Sequence, residues 1–154
     1  MTRIKTTLLV FLMMIMSGQL YGEDLNAEYV RNYDGDTVTV NLTELRELDQ
    51  SGSLSVLWSK IGIRVGGVDT PEMRGKCPEE KTKARVAKAF VKELLTSADQ
   101  ISLRNIKRGK YFRLVADIII DAGTSNEIDL KEALVENGHA VRYNGGRKTA
   151  KWCK

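Results

Sequence analysis

Residues 64–72 read RVGGVDTPE. The segment starts as the end of a β-branched run, passes two glycines, and closes with Asp69, Thr70, Pro71 and Glu72. A residue before proline is pushed toward extended geometry and away from helix. The Thr70 carbonyl is therefore expected to lie outside helical hydrogen bonding. One reading is purely local: strand end, turn, helix start. The other is half of a charged site, with one guanidinium and two carboxylates delivered to a single strand end. The flanking sequence has to separate the two.

Outward from this stretch, Glu28–Tyr33, Thr37–Leu42, Leu57–Val68, Ile101–Lys107, Phe112–Ile120 and Glu127–Leu130 read as short strands rich in β-branched residues. Ala84, Ala87, Val91, Leu94, Leu95 and Ala98 recur at i+3/i+4 spacing and predict one long helix. A shorter helix over Lys131–Asn137 stops at Gly138, a good residue just past a helix end. The polar stretch 43–55, TELRELDQSGSLS, reads as an exposed hairpin loop because it carries Ser-Gly. Strands, helix, strands, helix give an α+β class in which a small antiparallel barrel fits.

The chain has 154 residues, enough for one compact domain with a true core. Its N-terminus stands apart. Arg3 and Lys5 precede the apolar run Leu8–Met16, followed by SGQLYG and then acids. At 1.5 Å per residue that run falls short of about 30 Å of hydrocarbon. A signal peptide over 1–22 is expected, leaving a single domain over 23–154 that is secreted or periplasmic, with no stable membrane anchor.

Without residues 1–22, which hold two bases and no acid, the 24 bases and 20 acids of the whole chain become 22 and 20. That sum is too small to imply polyanion binding. Two stretches, 104–113 and 142–154, each hold five bases and no acid. Their ordinary meaning is a solvated surface unless they flank a site. Cys77 and Cys153 are the only cysteines, so an exported chain has one possible disulfide, with two free thiols as the alternative.

With one histidine, His139, a two-histidine zinc site is excluded. No Gly-rich phosphate loop ending in Lys-Ser/Thr occurs. Catalysis would have to run on carboxylates, arginines and a hard metal ion. The first acidic cluster, YDGDTVTVN (33–41), fails as an EF-hand: counted from Asp34, its sixth position is Thr39 and its twelfth Leu45. Asp36, Asp69 and the Thr70 carbonyl would instead make an all-oxygen site suited to calcium. Glu72 lies a turn further on. Arg64 and Arg113 carry planar guanidinium groups suited to phosphate oxygens. Together these groups suit phosphodiester hydrolysis, in which charge builds on phosphate.

The ordered series YDGDTVTV, IRVGGVDTPE, ARVAKAFVKELL, KYFRLVADIII and LKEALVENGHA resembles the staphylococcal nuclease (thermonuclease) family, from about Tyr29 to Tyr143. The resemblance implies a five-stranded OB-type barrel with two or three packed helices. It also implies calcium-dependent cleavage of DNA or RNA, by a protein read here as a monomer. It carries metal ligation to Asp36, Asp69 and Thr70, catalysis to Arg64, Glu72 and Arg113, and nucleotide phosphate binding to Lys110 and Tyr111. Phe112 departs from the family's Gly, the loop before Lys110 is shorter, loop 43–55 is longer, and the long C-terminal helix is missing or reduced to a stub. The alternative is a non-catalytic OB module that only binds nucleic acid.

Overall fold

The computed structural model describes residues 24–109 and 113–153. The elements run β1 (Leu25–Asn32), β2 (Thr37–Leu42), α1 (Thr43–Leu48), β3 (Ile61–Val65), β4 (Val68–Asp69), α2 (Pro78–Ser97) and β5 (Ile101–Arg108). They continue with β6 (Leu114–Ile120), β7 (Ile128–Asp129), α3 (Leu130–Glu136) and β8 (Val141–Arg142). The segment 1–22, read as a signal peptide, lies outside the described residues. Among the described residues no helix is long and apolar enough to cross a membrane.

Five strands close a barrel in the order β3-β2-β1-β5-β6, with β3 also pairing β6 and β7 added beside β6. The expected small antiparallel barrel is present, and one of its strand pairs differs in sense. The closing pair β3–β6 is parallel, with Ile63 opposite Leu114 and Val65 opposite Ala116. Parity requires it: in a closed ring of five strands that alternate direction, the first and last must run the same way. The architecture is an α+β OB-type barrel with three α-helices among the described residues.

Side chains alternate in and out along the strands. On β2 the inward set is Val38, Val40 and Leu42, which meets Ile63, Leu103 and Ile118 in the core. Helix α2 turns Ala84, Ala87, Val91 and Leu95 inward. Its alanines let the helix axis approach the loops it covers. Leu130 and Leu134 of α3 are fully buried, and Asp129 caps that helix by accepting from the Lys131 N–H.

Two local expectations change. Residues 43–48 form a helix rather than part of a loop, because Leu45 is buried and the helix start is tied to β1. Glu44 Oε1 accepts from the Asn26 N–H at 2.8 Å, and Thr43 Oγ1 donates to the Asn26 carbonyl at 3.0 Å. The stretch Leu57–Val68 is not one strand. It begins at Ile61 and breaks at Gly66–Gly67, where Gly67 takes a φ of +77° that a side chain would strain. That turn gives Asp69 a strand of its own, paired to β8, with Asp69 opposite Val141.

Candidate active site

The first acidic loop joins β1 to β2. Asp34 Oδ1 accepts from the Asp36 N–H at 3.1 Å, a side-chain turn that Asp favours. Buried Asn32 pins the loop, its amide donating to the Asp34 carbonyl and to the Lys88 carbonyl of α2, both at 2.9 Å. Tyr29 in turn donates to Asn32 Oδ1 at 2.7 Å. Gly35 has no room for a side chain: a Cβ would stand 2.9 Å from Thr70 Cγ2 and 3.0 Å from Ala87 Cβ. The DGD loop is thus pressed between α2 and the second acidic segment.

Asp36 follows, 3% exposed, and its carbonyl accepts from the Val65 N–H at 2.9 Å. The β2–β3 register places Thr37 opposite Arg64, one residue from Asp36. Arg64 Nη1 meets Asp36 Oδ1 at 2.7 Å. Its Nη2 donates to the Val68 carbonyl at 3.2 Å and lies 4.0 Å from Asp69 Oδ1. The Gly66–Gly67 turn makes this possible, bringing Val68 and Asp69 back over the strand that carries Arg64. Burial pushes the Asp36 carboxyl up to about 6, against the attraction of Arg64 and with added repulsion from Asp34 and Glu72.

Asp69 and Thr70 are both 2% exposed. Asp69 Oδ1 is buried and has Lys148 Nζ as its ion-pair partner, 2.7 Å away. The same Nζ lies 2.7 Å from Glu72 Oε1. Burial works against the Lys148 charge, but Asp69 and Glu72 outweigh it and hold the ammonium well above the usual lysine range.

Buried Glu80 organises the loop that carries Glu72. Its Oε1 accepts from the Glu72 N–H at 3.3 Å and its Oε2 from the Lys76 N–H at 3.0 Å. Cys77, the N-cap of α2, is bonded to Cys153. Cys77, Glu80 and Cys153 converge closely enough to suggest a metal cluster. Sulfurs joined to each other have no thiolate to offer, so this group is structural.

The geometry therefore brings together Asp36, Arg64, Asp69 and Thr70, with Glu72 joined to them through Lys148. Arg113 stands at the entry to β6, where its carbonyl accepts from the Gly109 N–H at 2.7 Å and closes the β5–β6 hairpin. Leu114, next in chain, pairs with Ile63 on the strand that bears Arg64. Among the described residues, no ion pair joins the Arg113 side chain to Asp36, Asp69 or Glu72. Lys110 and Tyr111, with Phe112, lie outside the described residues. His139 takes no part: its ring packs on Phe90 at 4.6 Å, and burial lowers its pKa.

Lys148 is the residue that sequence reasoning missed, left within a basic run read as solvated surface. One signal pointed to it. Glu72 and Lys148 each precede a cysteine by five residues, so a Cys77–Cys153 bridge brings them within reach of each other.

The family model for staphylococcal nuclease homologues matches residues 62–152. No match is found among curated proteins.

Proposed function

The chain belongs to the staphylococcal nuclease family, and from that premise we propose that it is an exported, calcium-dependent nuclease that hydrolyses phosphodiester bonds of DNA or RNA. The observation that carries the reading is Arg64 lying across Asp36 and Asp69, at 2.7 Å and 4.0 Å. A domain that merely binds nucleic acid has no use for two buried acids gathered at one strand end, where carboxylates would repel the backbone.

The donor set supports a hard divalent cation. Asp69 Oδ1 is buried and already faces one cation, Lys148 Nζ at 2.7 Å, burial raises the Asp36 carboxyl, and every candidate ligand is oxygen. Asp36, Asp69 and the Thr70 carbonyl would hold calcium, whose chemistry when bound is to polarise the phosphate oxygens. Arg64 and Arg113 take the charge that develops on those oxygens. Glu72, half exposed, removes a proton from the water that attacks phosphorus; the bond to the leaving oxygen then breaks, and that oxygen is protonated from solvent. Export to an oxidising compartment is supported by the basic and apolar N-terminal run and by the Cys77–Cys153 bridge.

Incubation of the protein with single-stranded DNA, in calcium and then in chelator, tests the reading. Fragmentation in calcium alone is the expected result, and Glu72→Gln should bind the strand but lose about 10²–10⁴-fold in turnover. Binding without cleavage in calcium would assign the chain to the non-catalytic class.

A further inference from the structure

We propose that Lys148 is a tethered counter-cation: its ammonium competes with the divalent cation for Asp69, and the Cys77–Cys153 disulfide keeps it in range. The inference rests on the reading of Asp69 as a metal ligand. Lys148 Nζ stands 2.7 Å from both Asp69 Oδ1 and Glu72 Oε1. An ammonium and a divalent cation at bonding distance from the same carboxylate oxygen repel each other strongly, so occupation by one weakens the other.

The two partners differ in freedom. The Asp69 side chain is 3% exposed and fixed at a strand end, whereas the Lys148 side chain is 47% exposed on a long stem. The lysine is therefore the group that withdraws. When it does so it also releases Glu72, so one movement would clear the metal ligand and free the candidate base together.

Both ends of the segment that carries Lys148 are anchored. Upstream, β8 pairs with β4, the Tyr143 N–H donates to the Gly67 carbonyl at 2.9 Å, and Tyr143 Oη donates to the Gly146 carbonyl at 2.6 Å. Downstream, Cys153 is bonded to Cys77, and Lys83 Nζ donates to the Trp152 carbonyl at 3.2 Å. Between these anchors, residues 144–149 are exposed and belong to no helix or strand. A charge on so short a doubly held segment acts at a high effective concentration, which falls when one anchor is cut.

Calcium titration calorimetry on the full chain, with thermal unfolding in chelator and in saturating calcium, tests the proposal. Lys148→Gln should bind calcium roughly 5-fold tighter or more. It should also unfold at a lower temperature than wild type in chelator, with the gap narrowing in calcium. A Cys77→Ser, Cys153→Ser double variant keeps Lys148 but cuts the tether, and its calcium affinity should move the same way. Unchanged or weaker affinity in folded Lys148→Gln overturns the inference and leaves the nuclease reading standing. Wild-type affinity in the double cysteine variant overturns the role of the tether. Failure of the wild-type protein to bind calcium overturns the inference and the metal reading together.

Discussion

Gly35 and Thr70 meet across the site, so closely that a Cβ on residue 35 would stand 2.9 Å from the Thr70 methyl. This contact aligns the two acidic segments, because Asp36 follows Gly35 directly and Asp69 precedes Thr70. The demand is for space, since the opposing atoms are the Thr70 side chain and the Ala87 Cβ of α2.

Gly35→Ala should therefore act as an overpacking substitution. A loss of about 1–3 kcal/mol in urea unfolding is expected. On the calcium site proposed above, affinity for that ion should fall with it, because Thr70 and Asp36 are forced apart. Unaltered stability and affinity would show that the loops do not depend on this contact.

Arg64 stands 2.7 Å from buried Asp36. Replacing it by Ala leaves a buried carboxylate without its partner, and about 3 kcal/mol of stability should be lost in chelator. Arg64→Ala combined with Asp36→Asn should recover part of that loss, since the stranded charge is gone. Arg64→Lys should not restore the site, because one ammonium cannot reach Asp36 and the Val68 carbonyl as the planar fork does. Urea midpoints of the four proteins decide the matter.

The Cys77–Cys153 bridge spans 76 residues in sequence. On the chain-entropy account, closing a loop of that length stabilises the fold by about 4 kcal/mol. A thiol reductant should lower the denaturation midpoint accordingly, and the double serine variant should become indifferent to reductant. Equal midpoints with and without reductant would show that the bridge does not constrain the unfolded chain.

Burial holds the pKa of His139 below that of an exposed histidine. A histidine depressed in the folded state keeps its neutral form there, so its contribution is full above the unfolded pKa. As pH falls through about 6.5 toward the lower folded value, the unfolded chain takes up the proton first and stability is lost. His139→Gln should flatten the stability profile as pH falls below about 6.5. It should leave the proposed nuclease activity at neutral pH in place, since the ring packs on Phe90. A slope that persists in the variant would assign the acid loss to other groups.

Much of the barrel was legible because strand and helix signals are local. Val38, Val40 and Leu42 alternate inward, and Ala84, Ala87, Val91 and Leu95 mark the buried face of α2. Residues 43–48 misled because Ser-Gly further on outweighed the short helical pattern around Leu45, whose burial depends on β1 and the core. The turn at Gly66–Gly67 was hidden in what read as one strand. A glycine pair is compatible with a strand or a turn, and only the pairing of Asp69 with β8 selects the turn.

By itself the sequence narrowed the chemistry open to this protein: one histidine, no phosphate loop, and acids and arginines in the order that the proposed all-oxygen metal and phosphate site requires. Tertiary structure alone decided which charges touch. Arg64 reaches Asp36 across paired strands, and Lys148 reaches Asp69 and Glu72 from the far end of the chain. Residue type and local spacing restrict what a side chain can do. Its partner is settled only when barrel closure and a disulfide bring distant segments within about 3 Å, the range in which charged groups bond.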